Sequence, residues 1–136
     1  MLIYADFNGL EDSVASPDEV LLDLTGYGTL ASLSLHRVRL RAGQHLMLCD
    51  PDGLWVMGEI NFDPSRRSSR RSGWFATFQR RGIREGASLQ HDYATHLCFK
   101  CRLNLKPHLD KVGRQFNEIC PHCGTPVMFP LSPPGS

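Results

Sequence analysis

Several features are absent from this 136-residue sequence. It has no apolar run long enough to span a bilayer, and it begins without the basic start and apolar stretch of a secretory signal. These absences predict a cytoplasmic protein without a membrane segment. The GxSxG, P-loop and HExxH motifs are also missing, and no set of nucleophile, base and orienting group can be named. The protein is therefore expected to be non-catalytic.

Charge of one sign is missing from two stretches of the chain. Residues 1–35, the acidic segment, contain no Lys or Arg, and residues 64–84, the arginine segment, contain no Asp or Glu. The acids are Asp6, Glu11, Asp12, Asp18, Glu19 and Asp23. The arginines are Arg66, Arg67, Arg70, Arg71, Arg80, Arg81 and Arg84. Two interpretations follow: the arginine segment binds an anionic partner, or the two segments face each other.

Glycines after an apolar stretch resemble a nucleotide-binding motif only in spacing. Residues 26–31 match GxGxxA, and Asp50 lies near the distance at which a dinucleotide fold places its ribose-binding acid. That fold needs several βαβ units, and the spacing changes to period two at Val38, where a long helix should continue. A turn that needs two permissive backbones is favoured instead.

The clearest site is formed by two CxxC pairs, with eighteen residues between Cys101 and Cys120. Their cysteines, called here the cysteine cluster, are Cys98, Cys101, Cys120 and Cys123. This spacing is typical of zinc sites, and Gly124 suits the turn after the second pair. Four thiolates fill a tetrahedron and leave no open position, so a structural Zn²⁺ is predicted.

Other interpretations of the cysteines are supported less well than a structural zinc site. A thioredoxin-like site uses a single CxxC, and disulfides are disfavoured because no secretory signal is present. Iron in place of zinc stays open, since both metals accept four thiolates. His96 is a conceivable replacement ligand, and it could also hold a second metal with His91, although a surface connector is the commoner outcome. The fifth cysteine, Cys49, lies in an apolar run and is predicted to be a buried small side chain.

Residues 98–129 resemble a zinc ribbon. The Cys-Pro-His-Cys-Gly run is similar to the second metal-binding turn of such ribbons, and residues 125–129 are similar to the strand that leaves it. The resemblance implies two cysteine-bearing turns that hold one metal beneath a small antiparallel sheet. It does not imply a function, because ribbons occur in transcription, translation, enzymes and adaptors.

Short apolar stretches separated by turns predict a mainly β fold, either a small β-barrel or a curled antiparallel sheet. Strands are expected at residues 1–7, 20–24, 38–40, 44–62 (a hairpin) and 74–78, with a short helix at 29–35. Residues 10–18 and 65–72 are expected to be exposed loops. The predicted domains are the sheet (1–84), a connector (85–97), the ribbon (98–129) and a disordered tail (130–136).

These features favour an adaptor protein with a structural zinc site that mediates protein interactions. The alternative is a nucleic-acid-binding protein that contacts RNA or DNA through residues 66–84 together with the ribbon, since arginines bind phosphates and Trp74, Phe75 and Phe78 lie nearby. A small enzyme or nucleotide-binding protein is the second alternative.

Overall fold

A computed structural model describes residues 1–24, 26–68, 71–89, 98, 100, 101, 103–105, 107 and 120–124. The strands are β1 (Ile3–Tyr4), β2 (Glu11–Asp12), β3 (Glu19–Asp23), β4 (His45–Cys49), β5 (Trp55–Phe62) and β6 (Trp74–Gln79). Helix α1 (Tyr27–Leu35) follows β3 in the chain. The six strands form one sheet in the order β1-β4-β5-β6-β3-β2. The β1–β4 pair is parallel, and the other neighbouring pairs are antiparallel.

The prediction of a mainly β fold is confirmed, with an open sheet. The sheet does not close into the barrel that the sequence allowed, because its edge strands β1 and β2 are only two residues long and pair on one side alone among the described residues. The parallel β1–β4 pair also makes the sheet mixed, which the sequence did not predict. None of the described helices is long and apolar enough to cross a membrane.

Alternation along the strands gives the sheet one buried face. In β5, Val56 and Ile60 are buried while Met57 and Glu59 are exposed, as the period of two requires. The buried core from the strands consists of Ile3, Val20, Leu22, Leu46, Leu48, Val56, Ile60, Trp74, Ala76 and Phe78. Of the strand aromatics, Trp74 and Phe78 are buried, Phe62 packs against Trp74 from the margin, and Trp55 is only half-buried.

Helix α1 lies against the edge strand β1. The Thr29 hydroxyl donates to the Tyr4 carbonyl at 2.8 Å, and the Tyr4 N–H donates to the Ser32 hydroxyl at 3.0 Å. Gly28 permits this approach, because a Cβ at that position would lie 2.7 Å from the Tyr4 ring. Leu33 points into the sheet core. The helix therefore covers an edge that would otherwise expose unpaired backbone groups.

The glycines of residues 26–31 do not lie in the strand arrangement of a dinucleotide fold. Strands β3 and β4, which flank α1 in the chain, are separated in the sheet by β6 and β5 and run in opposite directions. A βαβ unit requires them to be parallel. Close packing on Tyr4 accounts for Gly28, and Gly26 accepts the first helical hydrogen bond, from the Leu30 N–H.

The C-terminus of α1 is closed by a left-handed residue. Arg37 has φ 55°, and the Val38 N–H donates to the Leu33 carbonyl at 2.9 Å, as in a Schellman cap. Residues 38–40 are not a strand, although their period of two predicted one, because they make no ladder with a described strand. The alternation is nevertheless real: Val38 is buried and Leu40 packs on the core, while Arg39 is exposed.

The acidic stretch at residues 10–18 is partly a strand. Residues 10–18 are not a loop throughout, because Glu11–Asp12 pairs with β3 at the sheet edge. The predicted domain limits stay a prediction: residues 90–97, 125–129 and 130–136 lie outside the described residues. Within the described part, Arg84 pairs with Trp55, and the Ala87 N–H donates to the Gly53 carbonyl at 3.1 Å.

Substitution of Gly28 by alanine is expected to lower the free energy of unfolding by about 1–3 kcal/mol, because the new methyl group would overlap the Tyr4 ring. In an ordinary helix the same change raises stability by about 0.5–1 kcal/mol, so the sign is informative. Gly26→Ala is the control, since a Cβ there meets nothing within 4 Å. Urea denaturation measures both. A Gly28→Ala variant as stable as the original protein would contradict this packing.

Substitution of Arg37 by glycine is expected to raise the free energy of unfolding by about 1 kcal/mol, because glycine adopts a positive φ without the steric cost that an arginine bears. The control is Arg39→Gly, whose backbone has no positive φ and which should be neutral or destabilising. Thermal denaturation followed by circular dichroism compares the two. A lower melting temperature for Arg37→Gly would refute the assignment of this cap.

Candidate functional site

The four sulfur atoms of the cysteine cluster converge. One sulfur atom from each residue lies within 4.8 Å of the other three. The Cys98 and Cys123 sulfurs are 3.6 Å apart, and those of Cys101 and Cys120 are 3.5 Å apart. A disulfide requires about 2.05 Å, so these thiols are free. The two CxxC pairs therefore form one site, as their spacing predicted.

Local backbone geometry positions each pair. The Cys98 N–H donates to the Leu103 carbonyl at 2.9 Å and closes the first turn. The Gly124 N–H donates to the Cys120 carbonyl at 2.9 Å, and Gly124 has φ 75°, a conformation that favours glycine. The expectation that glycine suits this turn is confirmed. Each CxxC pair is thus held by a backbone hydrogen bond between residues that are close together in the sequence.

The spacing of the sulfurs fits a tetrahedral thiolate site. A tetrahedron with metal–sulfur bonds of about 2.3 Å places its sulfurs about 3.8 Å apart. The two short sulfur–sulfur distances, 3.5 and 3.6 Å, are close to that value, and the remaining pairs stay within 4.8 Å. The cluster could therefore hold one metal ion with little movement.

The cysteine cluster is half covered by apolar side chains. Cys98 and Cys120 are buried together with Leu30 and Leu105, while Cys101 and Cys123 pack at the margin. Leu30 belongs to α1, so the helix that contacts β1 on one side contacts the cysteines on another. Burial of the sulfurs limits access of water to the site. The role of Leu30 was not predicted, because only the folded chain places it there.

Without metal, the Cys101 thiol holds its proton tightly. The Leu103 backbone N–H lowers the pKa of Cys101, but burial and hydrogen bonds to the other three cysteines outweigh it and raise that pKa to about 12. Four neighbouring thiolates would repel one another unless a cation lay between them. A metal that binds here must therefore displace protons, and acid weakens its binding.

The arginine segment meets the acidic segment on the outer face of the sheet. Arg66 binds Glu11 on β2 and Asp23 on β3, with its Nη2 3.1 Å from Asp23 Oδ2. Its guanidinium carbon lies 5.1 Å from the centre of the Phe75 ring on β6. Arg71 reaches the same two acids at 2.8 and 3.2 Å. These contacts agree with the second interpretation of the charge separation, in which the acidic segment and the arginine segment face each other.

These ion pairs involve more of the arginine segment. Arg80 binds Asp12 at 2.8 Å, and Arg81 lies 3.2 Å from Asp18. Arg67 and Arg84 are exposed and form no ion pair with the described residues, and Arg70 lies outside them. A nucleic-acid contact by these arginines stays a prediction, and most of their charge is already met by carboxylates.

The centre of the network is partly shielded from water. The Arg66 side chain is 18% exposed and that of Asp23 is 15% exposed. The hydrogen bond from Arg66, with the charges of Arg66 and Arg71, holds the pKa of Glu11 below its usual value against the opposing effect of burial. Residues 65–72 were expected to be a solvated loop, yet residues 64–66 form a short 3-10 helix that docks Arg66 on the sheet.

Substitution of Arg66 by alanine is expected to lower the free energy of unfolding by about 2 kcal/mol, because among the described residues it leaves the shielded carboxylate of Asp23 with Arg71 alone as an ion-pair partner. Arg67→Ala is the matched control from the same turn, where an exposed side chain should change stability by less than about 0.5 kcal/mol. Urea denaturation at neutral pH separates them. Equal stabilities of the two variants would show that the network is only a surface contact.

Comparisons with known proteins leave the family undetermined. No protein-family model matches the chain, and no curated protein matches it. Among solved structures, the chain is similar to a predicted RNA methyltransferase from Thermotoga maritima, with 16% sequence identity and a TM-score of 0.31. The match covers 67% of this chain and 32% of that protein, so this chain spans about a third of its length. A likeness of this size carries no argument about function.

Proposed function

We propose that this protein is a non-catalytic binding protein in which a structural zinc ion, held by the cysteine cluster, fastens the C-terminal region to helix α1. The observation that carries the proposal is the convergence of four thiols, from two turns, at nearly tetrahedral sulfur spacing. Zinc is the metal that most often occupies such a set of four cysteines in this spacing.

A structural role is favoured over a catalytic one by the ligand count. Catalytic zinc keeps a position open for water or substrate, whereas four thiolates complete the tetrahedron. The buried positions of Cys98 and Cys120 also keep solvent from half of the site. Binding is therefore the function that such a metal supports, since it holds a surface rigid and performs no chemistry.

A ribbon of about thirty residues buries too little apolar surface to fold without further stabilisation. In the described residues, the core next to the cysteines contains Leu30 and Leu105 besides the cysteines themselves. Zinc binding contributes about 10–16 kcal/mol to the folding of zinc-finger peptides, which is enough to offset the missing core. A zinc ribbon over residues 98–129 belongs to the proposal for the same reason, with its strand at 125–129 outside the described residues.

Two partner classes follow from the sequence, a protein and a nucleic acid. A metal-pinned region beside an open sheet presents two surfaces in fixed relation, which suits an adaptor that binds another protein. A nucleic acid needs cationic groups that the chain has not neutralised. The exposed arginines of residues 37–41 supply such groups and favour the second class.

Protein purified without chelator is expected to contain one zinc per chain, and Cys98→Ser should lower the zinc content to near zero because a thiolate ligand is lost. The control is Cys49→Ala, which removes a buried thiol outside the cysteine cluster and should keep the metal. Elemental analysis measures both variants. Limited proteolysis after treatment with a strong chelator should cleave the C-terminal region and spare the sheet.

Three results would count against this assignment. Iron in place of zinc would correct the metal and keep the site. A Cys98→Ser variant with undiminished zinc would remove the cysteine cluster from consideration as the ligand set. Unchanged proteolysis of the metal-free protein would show that the ion is not structural.

A further inference from the structure

A second cationic surface lies just beyond the C-terminus of α1. Arg37, Arg39 and Arg41 are exposed and line one open cavity of about 810 Å³, together with His36 and Gln44. No carboxylate is among the described residues that line it. This surface, called here the 37–41 surface, therefore carries three positive charges around one open depression.

These three arginines differ from most of the described arginines of the arginine segment in having no ion-pair partner among the described residues. Arg66, Arg71, Arg80 and Arg81 all lie within ion-pair distance of acids from residues 11–23. No such pair involves the 37–41 surface within the part of the chain that the structure describes. Three unpaired arginines therefore lie on this one surface, whereas the described residues of the arginine segment leave two unpaired, Arg67 and Arg84.

The backbone beneath these arginines is held in place. Val38 is buried and Leu40 packs on the core, which leaves the alternate side chains directed outward. The Gly43 N–H donates to the Ile60 carbonyl at 2.7 Å, and the Ile60 N–H donates to the Gln44 carbonyl at 2.7 Å. The surface is therefore tied to β5, and a partner need not order it on binding.

The backbone conformation of Arg37 is a second observation that points to a ligand at this surface. It occupies the left-handed position of the helix cap, where glycine is the favoured residue. A long side chain at this place carries a backbone cost without an ion pair among the described residues to offset it. Backbone strain of this kind is enriched at functional sites, which agrees with a use for this side chain.

We propose that the 37–41 surface binds the phosphate backbone of a nucleic acid. Arginine binds phosphate in a bidentate manner, and three exposed arginines on one open surface suit successive phosphates of a chain. Pockets for small molecules are more enclosed and mostly apolar, whereas this cavity is open and bordered by charge. The inference rests on the proposed function as a binding protein, and it places the contact outside the arginine segment.

Two triple variants with equal net charge test the proposal. Arg37→Gln/Arg39→Gln/Arg41→Gln removes the surface, and Arg67→Gln/Arg81→Gln/Arg84→Gln removes three exposed arginines from the arginine segment. Fluorescence anisotropy with labelled oligouridylate and oligothymidylate measures the affinity of the full chain from about 50 to 200 mM salt. The first variant should bind at least about tenfold more weakly, with the slope of log K against log salt smaller by about 2, and the second should bind nearly as the original protein does.

A single substitution guards against a folding artefact. Arg37→Gly should melt at a higher temperature than the original protein and still bind the oligonucleotides more weakly, a combination that loss of structure cannot produce. Competition with uridine monophosphate, which has the same phosphate chemistry without a chain, should be ineffective at equal phosphate concentration.

Four outcomes would overturn the inference: no binding by the original protein at low salt, equal weakening by both triple variants, weakening by the second alone, or full displacement by the monophosphate. Zinc content measured on the same samples distinguishes failure of the zinc-site proposal from failure of the nucleic-acid proposal. Stoichiometric zinc without nucleic-acid binding would refute only the 37–41 surface. Binding by a protein without metal would refute only the zinc site.

Discussion

The contact of helix α1 with both the sheet edge and the cysteine cluster is the interaction on which the rest of the structure depends. Thr29 and Ser32 hydrogen-bond to strand β1, and Leu33 enters the sheet core. Leu30 leaves the helix on another side and packs against Cys98 and Cys120. The cysteine cluster and the sheet edge are therefore linked, because one short helix contacts both.

Electrostatics divides the surface into a neutralised part and an unneutralised part. On the outer face of the sheet, Arg66 lies between Glu11, Asp23 and the Phe75 ring, so its charge serves the fold. Near the end of α1, residues 37–41 present arginines with no carboxylate beside them among the described residues. A net charge of +1 conceals this difference, which matters more for binding than the total does.

Local patterns were sufficient for much of the fold. The β4–β5 hairpin, strand β6 and helix α1 follow from alternation and from turn residues that lie within a few positions of each other. Two predictions were wrong for a physical reason. Glu11–Asp12 becomes a strand only because β3 lies beside it, and residues 38–40 alternate because a core lies beneath them, without a neighbouring strand. Alternation of apolar and polar residues indicates that one face of a segment is buried. It does not indicate that the segment pairs with a neighbouring strand.

The sequence by itself determined the cysteine site and the mainly β class, since a CxxC turn and a period of two are properties of a few adjacent residues. Only the tertiary structure decided which arginines are free to meet a partner. Arg66 and Asp23 are 43 positions apart, and Arg80 and Asp12 are 68 apart. Such pairs depend on how the strands are ordered in the sheet, and no local pattern specifies that order.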